Sequence, residues 1–281
     1  VVEGEKAFVK KNQDFDRELE RLYTDYEENN LGNYGIDAEH AAGLHHFLAT
    51  RPPEARMVKG QITGPITWGL TVTDREGRGI IYDDVLGDIV AKFLRLKASW
   101  QERALRKVCP DTIIFVDEPY LASLGSAFMA ISNERVVALL DEVFAGISGL
   151  KGIHCCGGAD WSLLLKTNMD ILSFDAYNYA ESLSLYPAEV TSFLEHGGVI
   201  AWGIVPNDEE VLAKESVFSL RDRLGEAMAP FTRNGIRFRQ LIEQGLLTPS
   251  CGLVYLSPEA SAQVLELLSK LSDHMRKKYL T

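Results

Sequence analysis

Gly152-Ile153-His154-Cys155-Cys156-Gly157-Gly158 is a short strand-forming run that ends in metal-ligand chemistry and a pair of glycines. Side chains two apart on a strand face the same way, so His154 and Cys156 project together while Cys155 points to the opposite face. The glycines let the backbone turn sharply just past the pair. The same plan, an apolar strand with reactive residues at its C-terminal end, recurs along the chain. Strands are predicted at 33–37, 56–62, 112–116, 152–155, 171–174, 199–204 and in a short stretch reaching Cys251. Most are apolar or β-branched, as a parallel sheet buried on both faces requires. Between them run helical patterns at 14–29, 83–108, 133–148, 216–244 and 258–279.

The strand ends deliver, in order, Asp37 and Glu39, Gln61 and Thr63, Asp117 and Glu118, His154 and Cys156, Asp175, Pro206 and Asn207, and Cys251. Reactive side chains gathered at one end of successive β/α units are what an α/β fold of the (β/α)8 TIM-barrel type provides. An open doubly wound sheet is the structural alternative and places ligands on fewer strand ends. Seven strands are counted, so the first barrel strand is expected to precede Val1, where the chain opens without a methionine. Residues 1–10 read as an N-terminal hairpin or extension, and Asp74-Arg75-Glu76-Gly77-Arg78-Gly79 as an exposed loop. No repeat or linker marks a second domain, so 1–281 reads as one domain.

Composition narrows the function classes. Hydrophobic residues make up 46% of 281 residues, no apolar run approaches a membrane span, and the net charge is −11. Such a surface repels phosphate backbones, so neither nucleic acid nor membrane is an expected partner. Arg276-Lys277-Lys278 suits the C-terminal dipole of the last helix better than a nucleic-acid patch. Four unevenly spaced cysteines, two of them adjacent, point to a reducing, cytoplasmic compartment and to metal or redox use.

Imidazole and thiolate at the His154–Cys156 spacing suit two corners of a tetrahedral zinc, and Cys251 supplies a third. Two sulfurs and one nitrogen leave a position for a weak ligand or a substrate, the mark of catalytic rather than structural zinc. The plainer reading is a set of buried thiols and a core histidine. A redox role for Cys155 and Cys156 is disfavoured because adjacent cysteines bridge with strain, and Cys109 reads as inert core.

At these residues the chain resembles the catalytic domain of cobalamin-independent methionine synthase. That family belongs to a superfamily with uroporphyrinogen decarboxylase and the methylcobalamin:thiol methyltransferases. Gly60-Gln61-Ile62-Thr63-Gly64-Pro65-Ile66-Thr67 is similar to the family's Thr-Gly-Pro stretch. Asp117-Glu118-Pro119 is similar to its Asp-Glu-Pro motif, and His154-X-Cys156 and Cys251-Gly252-Leu253 to its zinc-ligand segments. The resemblance spans residues 32–253 and implies a TIM barrel whose zinc binds a thiol as thiolate and methylates it. It also implies Asp117 and Glu39 as carboxylates for a substrate ammonium, with Glu118 beside them or acting at a helix N-terminus.

Two departures refine the expectation. Where the family places a glutamate as fourth zinc ligand this chain has Asp175, a residue left between ligation and hydrogen bonding. The stretch Ile200-Ala201-Trp202-Gly203-Ile204-Val205-Pro206 lacks the histidine with which the folate-using enzymes protonate their leaving group. That favours methylcobalamin as donor, carried by a corrinoid protein, while Glu39 and Asp117, suited to an ammonium, favour homocysteine as acceptor. Another thiol of the coenzyme M type and a non-catalytic zinc barrel serving as a complex partner are the alternatives. A porphyrin decarboxylase fits less well, lacking basic pocket residues.

Overall fold

In the computed structural model, which describes residues 2–3, 6–10, 13–50, 55–124 and 130–280, contacts divide the chain into two compact units. One comprises Val1–Ile153 and Lys166–Met169, the other His154–Leu165 and Asp170–Thr281.

The first unit opens with β1 (Val2–Glu3) and β2 (Lys6–Ala7), paired antiparallel as the N-terminal hairpin expected there. It continues through α1 (Phe15–Glu27), α2 (Ala42–Thr50), β3 (Val58–Thr63), α3 (Pro65–Thr71) and α4 (Asp84–Leu105). Then come β4 (Thr112–Asp117), α5 (Asn133–Phe144) and β5 (Leu150–Cys155), whose last residues belong to the second unit. Strands β3 and β4 run parallel in unbroken register from Val58↔Thr112 to Thr63↔Asp117. Helix α4 starts where the Asp83 carboxylate accepts the N–H groups of Val85 and Leu86. It buries Leu86, Val90, Leu94 and Leu105, each worth roughly 1.5–3 kcal/mol of apolar burial. Residues 74–79 form an exposed turn in which the Asp74 carboxylate accepts from the N–H groups of Glu76 and Arg78.

Residues 33–37, read from the sequence as a strand, are irregular. Their backbone groups are committed locally, Tyr34 N–H donating to Leu31 O and Ile36 O meeting the His45 ring, while the Asn33 amide and the Tyr34 hydroxyl tie the segment to the buried carboxylate of Asp25. This capping cluster competes with a ladder for the same segment.

The second unit holds α6 (Trp161–Leu164), β6 (Ile171–Phe174), α7 (Ala176–Ser184), α8 (Pro187–Glu195) and β7 (Val199–Val205). It ends with α9 (Glu209–Leu212), α10 (Val217–Arg233), α11 (Phe238–Glu243), β8 (Gly245–Pro249) and α12 (Pro258–Tyr279). The ladders β6–β7 and β7–β8 are parallel. The helix predicted over 216–244 is two helices: α10 ends at Arg233 with Asn234 as its cap, and Gly235, at φ 98°, takes a left-handed conformation that closes it. Six strands of the α/β fold, β3 to β8, are present among the described residues where seven were expected, the difference being 33–37. Among the described residues no helix is long and apolar enough to cross a membrane.

Candidate metal centre

Alternation on β6 and β7 sets which side chains face the site. Phe174 and Trp202 point to the helix side, in a chain of edge-to-face contacts from Trp161 through Phe174 and Trp202 to Phe231 of α10. Centroid separations are 5.6, 5.7 and 5.9 Å, within the favourable range for aromatic pairs. That anchoring turns Ser173 to the opposite face, where His154 lies. Cys155, the odd residue of the run, is fully buried, as the two-residue period requires.

His154, Cys156 and Cys251 come together: their candidate ligand atoms all lie within 4.8 Å of one another, and all three residues are half-buried. His154 Nε2 stands 3.1 Å from Cys156 Sγ, and the Sγ atoms of Cys156 and Cys251 are 2.8 Å apart. The Cys156 sulfur, and next the His154 ring, hold the Cys251 thiol far below the ordinary thiol range, at about 4. A site that favours thiolate in this way suits a cation. Two thiolates and an imidazole form a borderline-soft donor set that fits zinc better than a hard, oxygen-preferring ion.

Two neighbours support the cluster: Ser173, which sequence reasoning did not single out, and Asn207, which it placed at a strand end without this role. Ser173 Oγ lies 3.0 Å from His154 Nδ1, which leaves Nε2 for the sulfur side. Asn207, at the end of β7, accepts from Ser250 Oγ and donates to Gly252 O, gripping both neighbours of Cys251. Gly203 allows the same approach: a Cβ there would sit 2.5 Å from Phe174 O and 3.0 Å from Ser250 Cα. Neither role has a signature in the linear sequence, because both depend on strands meeting.

Asp175 stands apart from the group of three. Its carboxylate accepts from the backbone N–H and the side-chain amide of Asn178 and caps α7. Burial raises its pKa, and the nearby Cys251 charge adds to the rise.

The other carboxylates lie in the first unit. Asp117 ends β4, half-buried and paired in register with Thr63. Glu118 is fully buried; it accepts the N–H groups of Ile66 and Thr67 and the Thr67 hydroxyl, at 2.8, 2.7 and 2.6 Å. It thus caps α3 from a neighbouring strand, and a Cβ on Gly64 would collide with its carboxyl. The Thr-Gly-Pro and Asp-Glu-Pro segments are therefore two halves of one packing device. Glu39 lies exposed in an irregular segment before α2.

No protein-family model matches this chain, and no curated protein matches it in sequence. Among solved structures, a methyltransferase from Methanosarcina mazei superposes with a TM-score of 0.55 at 15% identity, covering 87% of this chain and 68% of that one. At that identity the likeness is one of fold: this chain has a methyltransferase-like α/β architecture over most of its length.

Proposed function

We propose that this chain is a zinc-dependent methyltransferase acting on a thiol. Homocysteine is the acceptor, methionine the product, and methylcobalamin on a separate corrinoid protein the donor. The observation that carries the reading is the cluster of His154, Cys156 and Cys251, three ligand atoms from two strand ends drawn within 4.8 Å. Three protein donors leave room for a fourth ligand, the arrangement of catalytic zinc. Zinc bound there supplies the Lewis acidity that deprotonates an incoming thiol at neutral pH. The commitment of both Asp175 oxygens to Asn178 favours the substrate sulfur over Asp175 as that fourth ligand.

The residues then have separate tasks. His154, Cys156 and Cys251 hold the metal, and Ser173 and Asn207 hold them. Asp117 and Glu39 take the acceptor's ammonium, while Glu118 fixes the backbone beside Asp117. The acceptor sulfur forms its bond to the methyl carbon as the methyl–donor bond breaks, both electrons of that bond leaving with the donor. β7 carries Val-Ile-Ala-Trp-Gly-Ile-Val and so no titratable acid to protonate a folate nitrogen, which favours a donor that departs without a proton. The same reading takes the six strands as part of a (β/α)8 barrel and the protein as cytoplasmic.

X-ray absorption at the zinc edge, with and without homocysteine, tests it. A new Zn–S contact on adding the thiol supports catalysis. An unchanged shell overturns it in favour of a non-catalytic zinc protein. Methionine formation from methylcobalamin and homocysteine, against turnover with another thiol alone, checks the acceptor.

A further inference from the structure

Helices α1, α3 and α4 of the first unit border a cavity of about 460 Å³. Small-molecule sites run to roughly 300–1,000 Å³, so the space suits a ligand of modest size. Its walls are mostly apolar. Leu19 and Leu22 come from α1, Trp68 from α3, Ile89 and Phe93 from α4, and Tyr34 from the irregular segment before α2. Tyr34 meets Phe93 edge-on at 5.8 Å, and Trp68 tilts against Phe93 at 6.1 Å, so the three rings brace one another. Trp68, Ile89 and Phe93 are only half-buried, although each is large and apolar. Closed packing would have covered them; here they border open space.

The apolar walls do not name a ligand, but the charged groups at the edge do. Arg21 also lines the cavity, and among the described residues its guanidinium makes no hydrogen bond. The Asp25 carboxylate stands 4.0 Å from it and is already served, one oxygen by Asn30 and the other by Asn33 and the Tyr34 hydroxyl. A guanidinium offers five donors in a planar fork that matches a carboxylate. Glu18, on the same edge, has the Arg17 guanidinium 4.0 Å away. A cation is the poorer guest for these rings, because the Lys97 ammonium already stands 5.1 Å from the Phe93 centroid. We propose that this cavity binds an apolar carboxylic acid, its ring or chain against Tyr34, Trp68 and Phe93 and its carboxylate on Arg21. The site uses none of the residues given to the metal or to the thiol acceptor, so it stands whether or not that reading holds.

Calorimetric titration of the full chain with 1-naphthylacetate and its neutral counterpart 1-naphthylacetamide tests the assignment, before and after metal is stripped with a chelator. The native protein should bind one acid per chain, about tenfold more tightly than the amide, in both states. Tenfold is about the low end for a hydrogen bond to a charged group, as suits a side chain that is 54% exposed. Arg21→Gln should bring the two affinities together; at so exposed a position the fold is retained. Ile89→Trp, which fills the cavity, should abolish the binding of both. Equal affinities in the native protein, or an unchanged preference in Arg21→Gln, overturn the proposal. Binding that survives in a folded Ile89→Trp protein places the ligand elsewhere and overturns it too. Acid binding that disappears with the metal puts the carboxylate on the ion instead. If neither ligand binds saturably, the cavity is a packing gap and the site falls.

Discussion

Ser173 Oγ stands 3.0 Å from Nδ1 of His154, on the strand next to it, while Nε2 of the same ring turns to the sulfur of Cys156. A ring held at one nitrogen presents the other in a fixed direction and tautomer, which is what neighbours of metal-bound histidines do. Ser173 is nearly fully buried, so the hydroxyl has little competition from water. Ser173→Ala should weaken zinc binding about ten- to a hundredfold by competition with a chelator, with the fold retained. An unchanged affinity would show that packing alone orients the ring.

Asp175 is expected to be dispensable for the metal and necessary for α7. Asp175→Ser keeps a capping oxygen, and Asp175→Ala does not. Both should retain one zinc per chain by atomic emission. Only the alanine variant should lose stability, by about 1 kcal/mol in chemical unfolding. Loss of zinc in both variants would make Asp175 the fourth ligand.

The His154–Cys156 half of the candidate cluster was legible because its spacing is local. An i, i+2 pair on a strand needs no knowledge of the fold, and β6 and α12 match their predicted ranges because their patterns are unambiguous. Ser173 escaped notice, and the hold of Asn207 on the neighbours of Cys251 was not foreseen, because both roles exist only across strands: between β5 and β6, and between the end of β7 and the segment after β8. Residues 33–37 misled for the converse reason, since their polar side chains serve Asp25. The helix over 216–244 failed at a single glycine whose backbone sign no periodicity reveals.

Removing the metal should cost stability as well as activity. A ligand that binds only the folded state stabilises it by about 4 kcal/mol at a free concentration a thousandfold above Kd. Stripping zinc with a chelator should therefore lower the melting temperature by several degrees. The drop should be absent in Cys251→Ser, which has already lost a ligand. Equal melting with and without chelator in the native protein would remove zinc from the account.

Glu118 should impose a pH dependence on folding that its glutamine variant lacks. Burial raises its pKa from 4.5 to about 7, against the hydrogen bonds from Thr67 and Ile66 that favour the charged form. The folded state therefore holds this proton over a range where the unfolded chain has released it. Its contribution is fully present below about pH 4.5 and is lost as the pH climbs through about 7. Glu118→Gln has nothing to titrate; it also places an amide against the N–H of Ile66 or Thr67, so it should be less stable throughout. The gap between native and variant should be widest near pH 5 and narrow by pH 8 in chemical denaturation. A gap that widens with pH would mean the cap works as a carboxylate with a lowered pKa, its three donors outweighing burial. Gly64→Ala should perturb the same device from the other side, because the new Cβ meets the Glu118 carboxyl. The expected loss is about 1–3 kcal/mol, as for other overpacked sites. Combined with Glu118→Gln it should be far from additive, since both changes act on one contact.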